Sequence, residues 1–145
     1  MSSLPIRHPA VAGQFYPSEA KLLTRDIAGY MGQVSPTLSG RDIAALVVPH
    51  AGYRYSGATA AYAYKEVEDR SYDTVVIVAP SHREAFSGVS VMAKGAYEIP
   101  TGMMPVHEQI CHRLIETSDI IHHTEAGHIS EHAIEVQLPF IRYAL

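Results

Sequence analysis

The sequence predicts an α/β fold with a mixed, largely parallel sheet and flanking helices. Residues 43–48 (IAALVV) and 74–79 (TVVIVA) are continuous apolar runs of strand length, the pattern of strands buried on both faces. Between them, Ala60, Ala61, Tyr64 and Val67 recur at helical spacing within residues 57–67, with small side chains that allow close packing on a sheet. Strand, helix and strand within about 35 residues form a βαβ unit, whose strands run parallel through a right-handed crossover.

The other elements follow in order. Residues 4–17 carry Pro5, Pro9, Gly13 and Pro17 and predict an extended, turning arm. Ser18 is placed to cap a helix over 19–31, in which Leu22, Leu23, Ile27 and Tyr30 share a stripe. Residues 32–40, rich in Ser, Pro, Thr and Gly, form a connection. Beyond Gly88, Val89, Val91 and Ala93 alternate with polar or flexible residues, and a second short strand over 96–99 is expected to pair with them. Pro105 is expected to open a helix over 106–117 with Val106, Ile110, Cys111 and Leu114 toward the core. A short strand is read at 120–123. Ser130 then caps a helix over 131–138, which Pro139 kinks or ends.

At 145 residues the chain is one domain with room for a core. Its 47% apolar content excludes global disorder. Eleven basic against 15 acidic residues, with no basic run, argue against nucleic acid or an anionic membrane as partner. A single cysteine, Cys111, permits no intrachain disulfide, and the opening MSSLPIRHPAVAG lacks signal-peptide character, so a cytoplasmic location is expected. Nine histidines in the chain are the unusual feature, compatible with metal binding or proton chemistry.

Two of those histidines leave the strand runs. His50 stands two residues beyond the first and His82 three beyond the second. Parallel sheets bind ligands outside the carboxyl ends of their strands, so both imidazoles are expected in one pocket, with Gly52 letting the backbone approach a ligand. Each alone could simply brace a loop; the matched pair points to a site. Two imidazoles are half a metal site, and Glu131, His132 and Glu135 offer further ligands at helical spacing, though such polar spacing is also common on solvated faces. The pattern HEQICH (107–112) spaces its histidines five apart and is rejected as a zinc motif. His122, His123 and His128 read as surface residues and Cys111 as core. Neither Ser56 nor Ser81 sits in a nucleophile elbow, and no phosphate-cradling glycine loop is present.

Four stretches carry a family resemblance: RHPAVAGQFYP (7–17), VPHAGYRYSG (48–57), APSHREAFSGV (79–89) and EHAIEVQLPF (131–140). In this order and spacing the chain resembles the Memo family, whose prokaryotic members include AmmeMemoRadiSam system protein B. The resemblance implies a LigB/Memo-like fold, similar to class III extradiol ring-cleaving dioxygenases, which hold non-haem iron with two histidines and an acidic residue. It maps the family's pocket histidines onto His50 and His82. Family members complete the pocket with a histidine and a cysteine from a later half of a chain about twice this length. The single domain 1–145 is therefore expected to be incomplete at its C-terminal end, a half-domain, or to be completed in a homo-oligomer through exposed apolar edges.

The leading expectation is a metal-dependent oxidoreductase related to the extradiol dioxygenases. His50, His82 and His132 would carry the chemistry, with His50, His82 and Glu131 as metal ligands and Tyr53, Arg54 and Ser81 as substrate contacts. Iron or copper is expected ahead of zinc. The runner-up is a metal-free module whose pocket receives a peptide or small anion through His50, Tyr53 and Arg54. An inert half-domain is the third reading.

Overall fold

A computed structural model describes residues 5–38 and 41–145. Residues 1–4, including the first residue of the expected arm and the start of the stretch read for a signal peptide, and residues 39–40 of the connection lie outside them. In chain order the elements are β1 (Ile6–Arg7), α1 (Ala20–Met31), α2 (Tyr53–Lys65), β2 (Val89–Val91), β3 (Ala96–Ile99), β4 (Gly102–Pro105), α3 (Glu108–Glu116) and β5 (Ile121–His123). A 3-10 turn (Glu135–Gln137) then leads into α4 (Leu138–Ala144). The architecture is mixed α/β: β1 pairs parallel with β3, which pairs antiparallel with β4, while β2 pairs parallel with β5. Among the described residues no helix is long and apolar enough to cross a membrane.

The expected helices form with shifted ends. α1 buries Leu23, Ile27 and Met31, one residue per turn, and starts after Glu19 with no side-chain cap, so Ser18 does not cap it. α2 begins four residues before the expected start. The backbone N–H of Tyr53 donates to the Phe15 carbonyl at 2.7 Å, tying the first turn to the N-terminal arm. Gly57 lies under Tyr30, where a Cβ would fall 2.7 Å from the ring, so α1 and α2 pack at a distance only glycine permits. Phe140 of α4 joins them, stacked on Tyr64 at 5.0 Å and tilted against Tyr53 at 5.0 Å.

Several expectations are corrected. Residues 131–134 are not helical; the chain turns there, and Pro139 sits in the first turn of α4, where its missing N–H costs nothing. β2 and β3 do not pair with each other: β2 takes β5 and β3 takes β1, both by long-range contact that alternation cannot encode. Pro105 ends β4 instead of opening a helix, and His107 caps α3 by accepting from the Ile110 N–H. No residue of α3 is fully buried, and Cys111 is half-buried.

The largest departure concerns the two runs 43–48 and 74–79, neither of which is hydrogen-bonded into a ladder. Ile43, Leu46, Val48 and Ile77 pack on the core formed by α1, α2 and α4, whereas Val47 is 100% and Val78 90% exposed. A strand buried on both faces needs lateral partners and a second covering layer. Here helices cover one side only.

The N-terminal arm is fastened to the end of the chain by a buried polar hub. Glu135, 0% exposed, accepts from Arg7 Nη1, from the N–H groups of Ala10 (2.9 Å) and Val11 (3.1 Å), and from the Tyr16 hydroxyl at 2.6 Å. Arg7 spends its other donors on the carbonyls of His128 (Nε, 2.9 Å) and Glu131 (Nη2). The guanidinium thus fixes the backbone from which the next residues of interest project.

Candidate metal centre

His50 lies between the first apolar run and α2, and His82 follows the second run. Glu131 and His132 enter from the turn that Arg7 holds. The three imidazoles converge: ring centroids are 5.1 Å apart for His50 and His82, 4.7 Å for His82 and His132, and 6.2 Å for His50 and His132. A ligand nitrogen about 2.0–2.1 Å from a tetrahedral ion puts ring centroids about 5 Å apart, and right-angled ligands somewhat closer. The His82–His132 and His50–His82 separations of 4.7 and 5.1 Å match those values, and the His50–His132 separation of 6.2 Å is wider. One ligand atom from each of His82, Glu131 and His132 falls within 4.8 Å of the others.

Glu131 is 4% exposed. It accepts from the His82 N–H and, at 3.0 Å, from His82 Nδ1, and also from the N–H groups of His132 (2.8 Å) and Ala133 (2.9 Å). Burial alone would raise its pKa, but the bonds from His82, Ala133 and His132 outweigh it and bring the carboxyl down to about 2. An ionised carboxylate only accepts, so His82 Nδ1 carries the hydrogen of this bond and Nε2 is the nitrogen left to face a metal. This carboxylate–histidine pairing is how proteins orient a metal-binding imidazole.

Burial lowers the pKa of His132, and the neighbouring His82, His50 and Arg83 lower it further against the opposing pull of Glu131. A neutral imidazole is the form that binds a metal. Nδ1 of His132 is buried and has no hydrogen-bond partner among the described residues, although it lies 3.2 Å from Oε1 of Glu131. An unmet buried nitrogen among imidazoles and a carboxylate fits a set of donors for a divalent first-row metal.

Above this cluster opens a pocket of about 560 Å³, lined by Gln14, Phe15, Pro49, Arg54 and Tyr55 beside the three histidines. The structure brings Arg54 to it, but not Tyr53 or Ser81. Tyr53 is buried and its hydroxyl donates to the Val136 carbonyl at 2.8 Å. Ser81 Oγ donates to the Glu84 carbonyl at 2.6 Å. Glu135 faces the Arg7 hub and not the imidazoles, because the helix that would have aligned it with His132 does not form. Gly52 serves a close approach to the Phe15 backbone, 3.4 Å from where a Cβ would stand. His122 and His123 are exposed on β5, whereas His128, expected at the surface, is buried with the Tyr97 hydroxyl 2.8 Å from its Nδ1.

Sequence reasoning missed Phe15, which packs on the His132 ring at 4.7 Å, and the Arg7–Glu135 pair. Both belong to the 7–17 and 131–140 stretches, whose motif character was the available signal.

An α/β chain that gathers three imidazoles beside an ionised carboxylate accepting four hydrogen bonds belongs to the class of proteins with a candidate histidine-rich metal centre. Residues 7–145 match the family of Memo-like proteins, and the chain belongs to that family. It is 41% identical over 148 residues to a MEMO1 family protein of Sulfurisphaera tokodaii, covering 95% of this chain and 52% of that one. A MEMO1 family protein of Methanothermobacter thermautotrophicus is 41% identical over 145 residues with the same coverage. One from Pyrococcus furiosus is 41% identical over 139 residues, covering 95% and 47%. The chain spans about half the length of the curated relatives it matches.

Proposed function

We propose that this protein binds a redox metal, iron or copper, through His50, His82 and His132, and supports oxidoreductase chemistry of the extradiol-dioxygenase type. The observation that carries the reading is the convergence of the three rings at 4.7–6.2 Å around a carboxylate that holds one of them. Glu131, expected among the ligands, is assigned chiefly the role of orienting His82, because it accepts from the His82 N–H and Nδ1 as well as from the His132 and Ala133 N–H groups; Oε2, with one donor, keeps a direction open toward an ion. Bound iron or copper would supply one-electron chemistry and open coordination positions. The chain's own contribution is to present imidazole nitrogens, favour the neutral form of His132, keep the Glu131 carboxylate ionised and pack Phe15 on the His132 ring. A cytoplasmic setting, supported by the single cysteine, belongs to the same reading.

Metal content of the purified protein, with the spin state of any iron or copper, tests it. His82→Ala and His132→Ala should each abolish stoichiometric binding, and Glu131→Gln should weaken it by about 10–100-fold, the effect of losing an orienting partner. Absence of iron, copper and zinc in reconstituted wild type would refute the reading. The second reading, a metal-free module for a peptide or small anion, is favoured by Arg54 alone. It predicts ligand binding that survives chelation.

A further inference from the structure

The pocket above the imidazoles is chemically asymmetric. One wall is apolar and partly aromatic, from Phe15, Pro49 and Tyr55. At its side stands Arg54, whose guanidinium lies 5.2 Å from the centroid of the Tyr55 ring and makes no salt bridge among the described residues. The pocket's acidic neighbour, Glu131, is 4% exposed and spends its oxygens on four donors, so it offers the pocket little negative surface. Arg83 also bears electrostatically on His132. A chain of net charge −4 thus keeps a locally positive, apolar-walled cavity of about 560 Å³, within the ~300–1,000 Å³ typical of small-molecule sites.

We infer that this pocket receives a small organic carboxylate with a flat apolar body: the carboxylate is gripped by Arg54 and the body lies against Phe15 and Tyr55. This names the ligand class for the pocket of the proposed metal centre and rests on that reading for its catalytic meaning, though not for binding itself. The guanidinium fork would take carboxylate or phosphate alike; an acid with an apolar body is preferred to inorganic phosphate because Phe15, Pro49 and Tyr55 line the rest of the wall and offer a phosphate no further donors. Tyr55, 78% exposed in the free pocket, provides the platform on which the guanidinium already rests. A divalent ion on the imidazoles would add positive charge below, so acid and metal should strengthen each other's binding reciprocally.

The test is a titration of the ¹⁵N-labelled 145-residue chain with benzoate, benzamide and inorganic phosphate, metal-free and zinc-loaded. The amide spectrum verifies folding in every sample. Benzoate should shift amides at 14–15 and 50–55. Arg54→Gln should weaken it about 10–100-fold, the effect of one lost charged hydrogen-bonding group; Arg54→Lys should recover part of that loss. Benzamide should bind at least tenfold more weakly than benzoate. Equal benzoate affinity in Arg54→Gln, equal binding of benzamide, or phosphate binding tighter than benzoate would each overturn the assignment. Metal content of the same samples is read separately. Loss of metal binding with Arg54-dependent benzoate binding intact defeats the metal reading alone, and the converse defeats this one.

Discussion

The most exacting consequence of the structure concerns Glu135→Gln, which changes no volume and removes one charge from a residue that is 0% exposed. In the native hub Oε2 accepts from Arg7 Nη1 and the Ala10 N–H, while Oε1 accepts from the Val11 N–H and the Tyr16 hydroxyl. Glutamine offers one oxygen and one NH₂: with the NH₂ toward Arg7 and Ala10 two donors meet a donor, and with it toward Val11 and Tyr16 the Val11 N–H does, while the Tyr16 hydroxyl can turn to accept. Arg7, with a side chain only 5% exposed, keeps its charge and loses its counter-charge. Breaking a buried pair from one side costs about 3–5 kcal/mol, a large share of the ~5–15 kcal/mol that holds an ordinary domain. Urea unfolding followed by far-UV circular dichroism should show that loss as a lower midpoint with an unchanged slope. Arg7→Met combined with Glu135→Gln should be destabilised by less than the sum of the single changes, since the stranded charge is gone. A cost below about 1 kcal/mol for Glu135→Gln would refute the view that an ion pair, and not simply packing, fastens the arm. Because Arg7 also holds the Glu131 carbonyl, the same variant should weaken metal binding.

Two other outcomes follow. Glu131 is held at a pKa of about 2, below its ordinary value of 4.5, so its stabilisation is complete above that ordinary value and is lost as pH falls from about 4.5 toward about 2. An acid-unfolding series should be flatter across that window in Glu131→Gln than in wild type, and parallel curves would count against the hydrogen-bond assignment. The exposed faces of the two apolar runs, Val47 and Val78 above all, are proposed to associate with a second copy of the chain. Light scattering after size exclusion should find a dimer that Val47→Lys with Val78→Lys converts to monomer, with the unfolding midpoint shifted little, as for exposed positions; a wild-type monomer, or a variant dimer, defeats this proposal.

Local signals translated well wherever a short stretch decides its own conformation. Of the expected stripe Leu22, Leu23, Ile27 and Tyr30, α1 buries Leu23 and Ile27 and adds Met31 while Leu22 stays exposed; the alanine-rich segment produced α2, and the ring centroids of the histidines at the two strand-like ends lie 5.1 Å apart. What failed was pairing. β1 with β3, and β2 with β5, join residues far apart in sequence, and nothing in the alternation of Val89 to Ala93 says which partner completes it. The hub was hidden for the same reason. Arg7 and Glu135 are ordinary surface residue types until folding brings them together across 128 positions.

The imidazole cluster is held by described residues while the two apolar runs beside it have no ladder, and a physical difference separates the two. His50 is placed by its junction with α2, whose first turn is bonded to Phe15. Glu131 and His132 are placed by the Arg7 grip, and His82 is placed by Glu131. Each constraint lies within the described residues. The runs 43–48 and 74–79 are different: their two-sided apolarity is written for an environment with lateral hydrogen-bond partners and a second covering layer, and the described residues supply one layer of helices. Apolar sequence therefore reported the burial for which these strands are suited, whereas the histidines reported a location fixed by neighbours already present. That is why the imidazole cluster forms here even though the strands that deliver two of its members stand without a ladder.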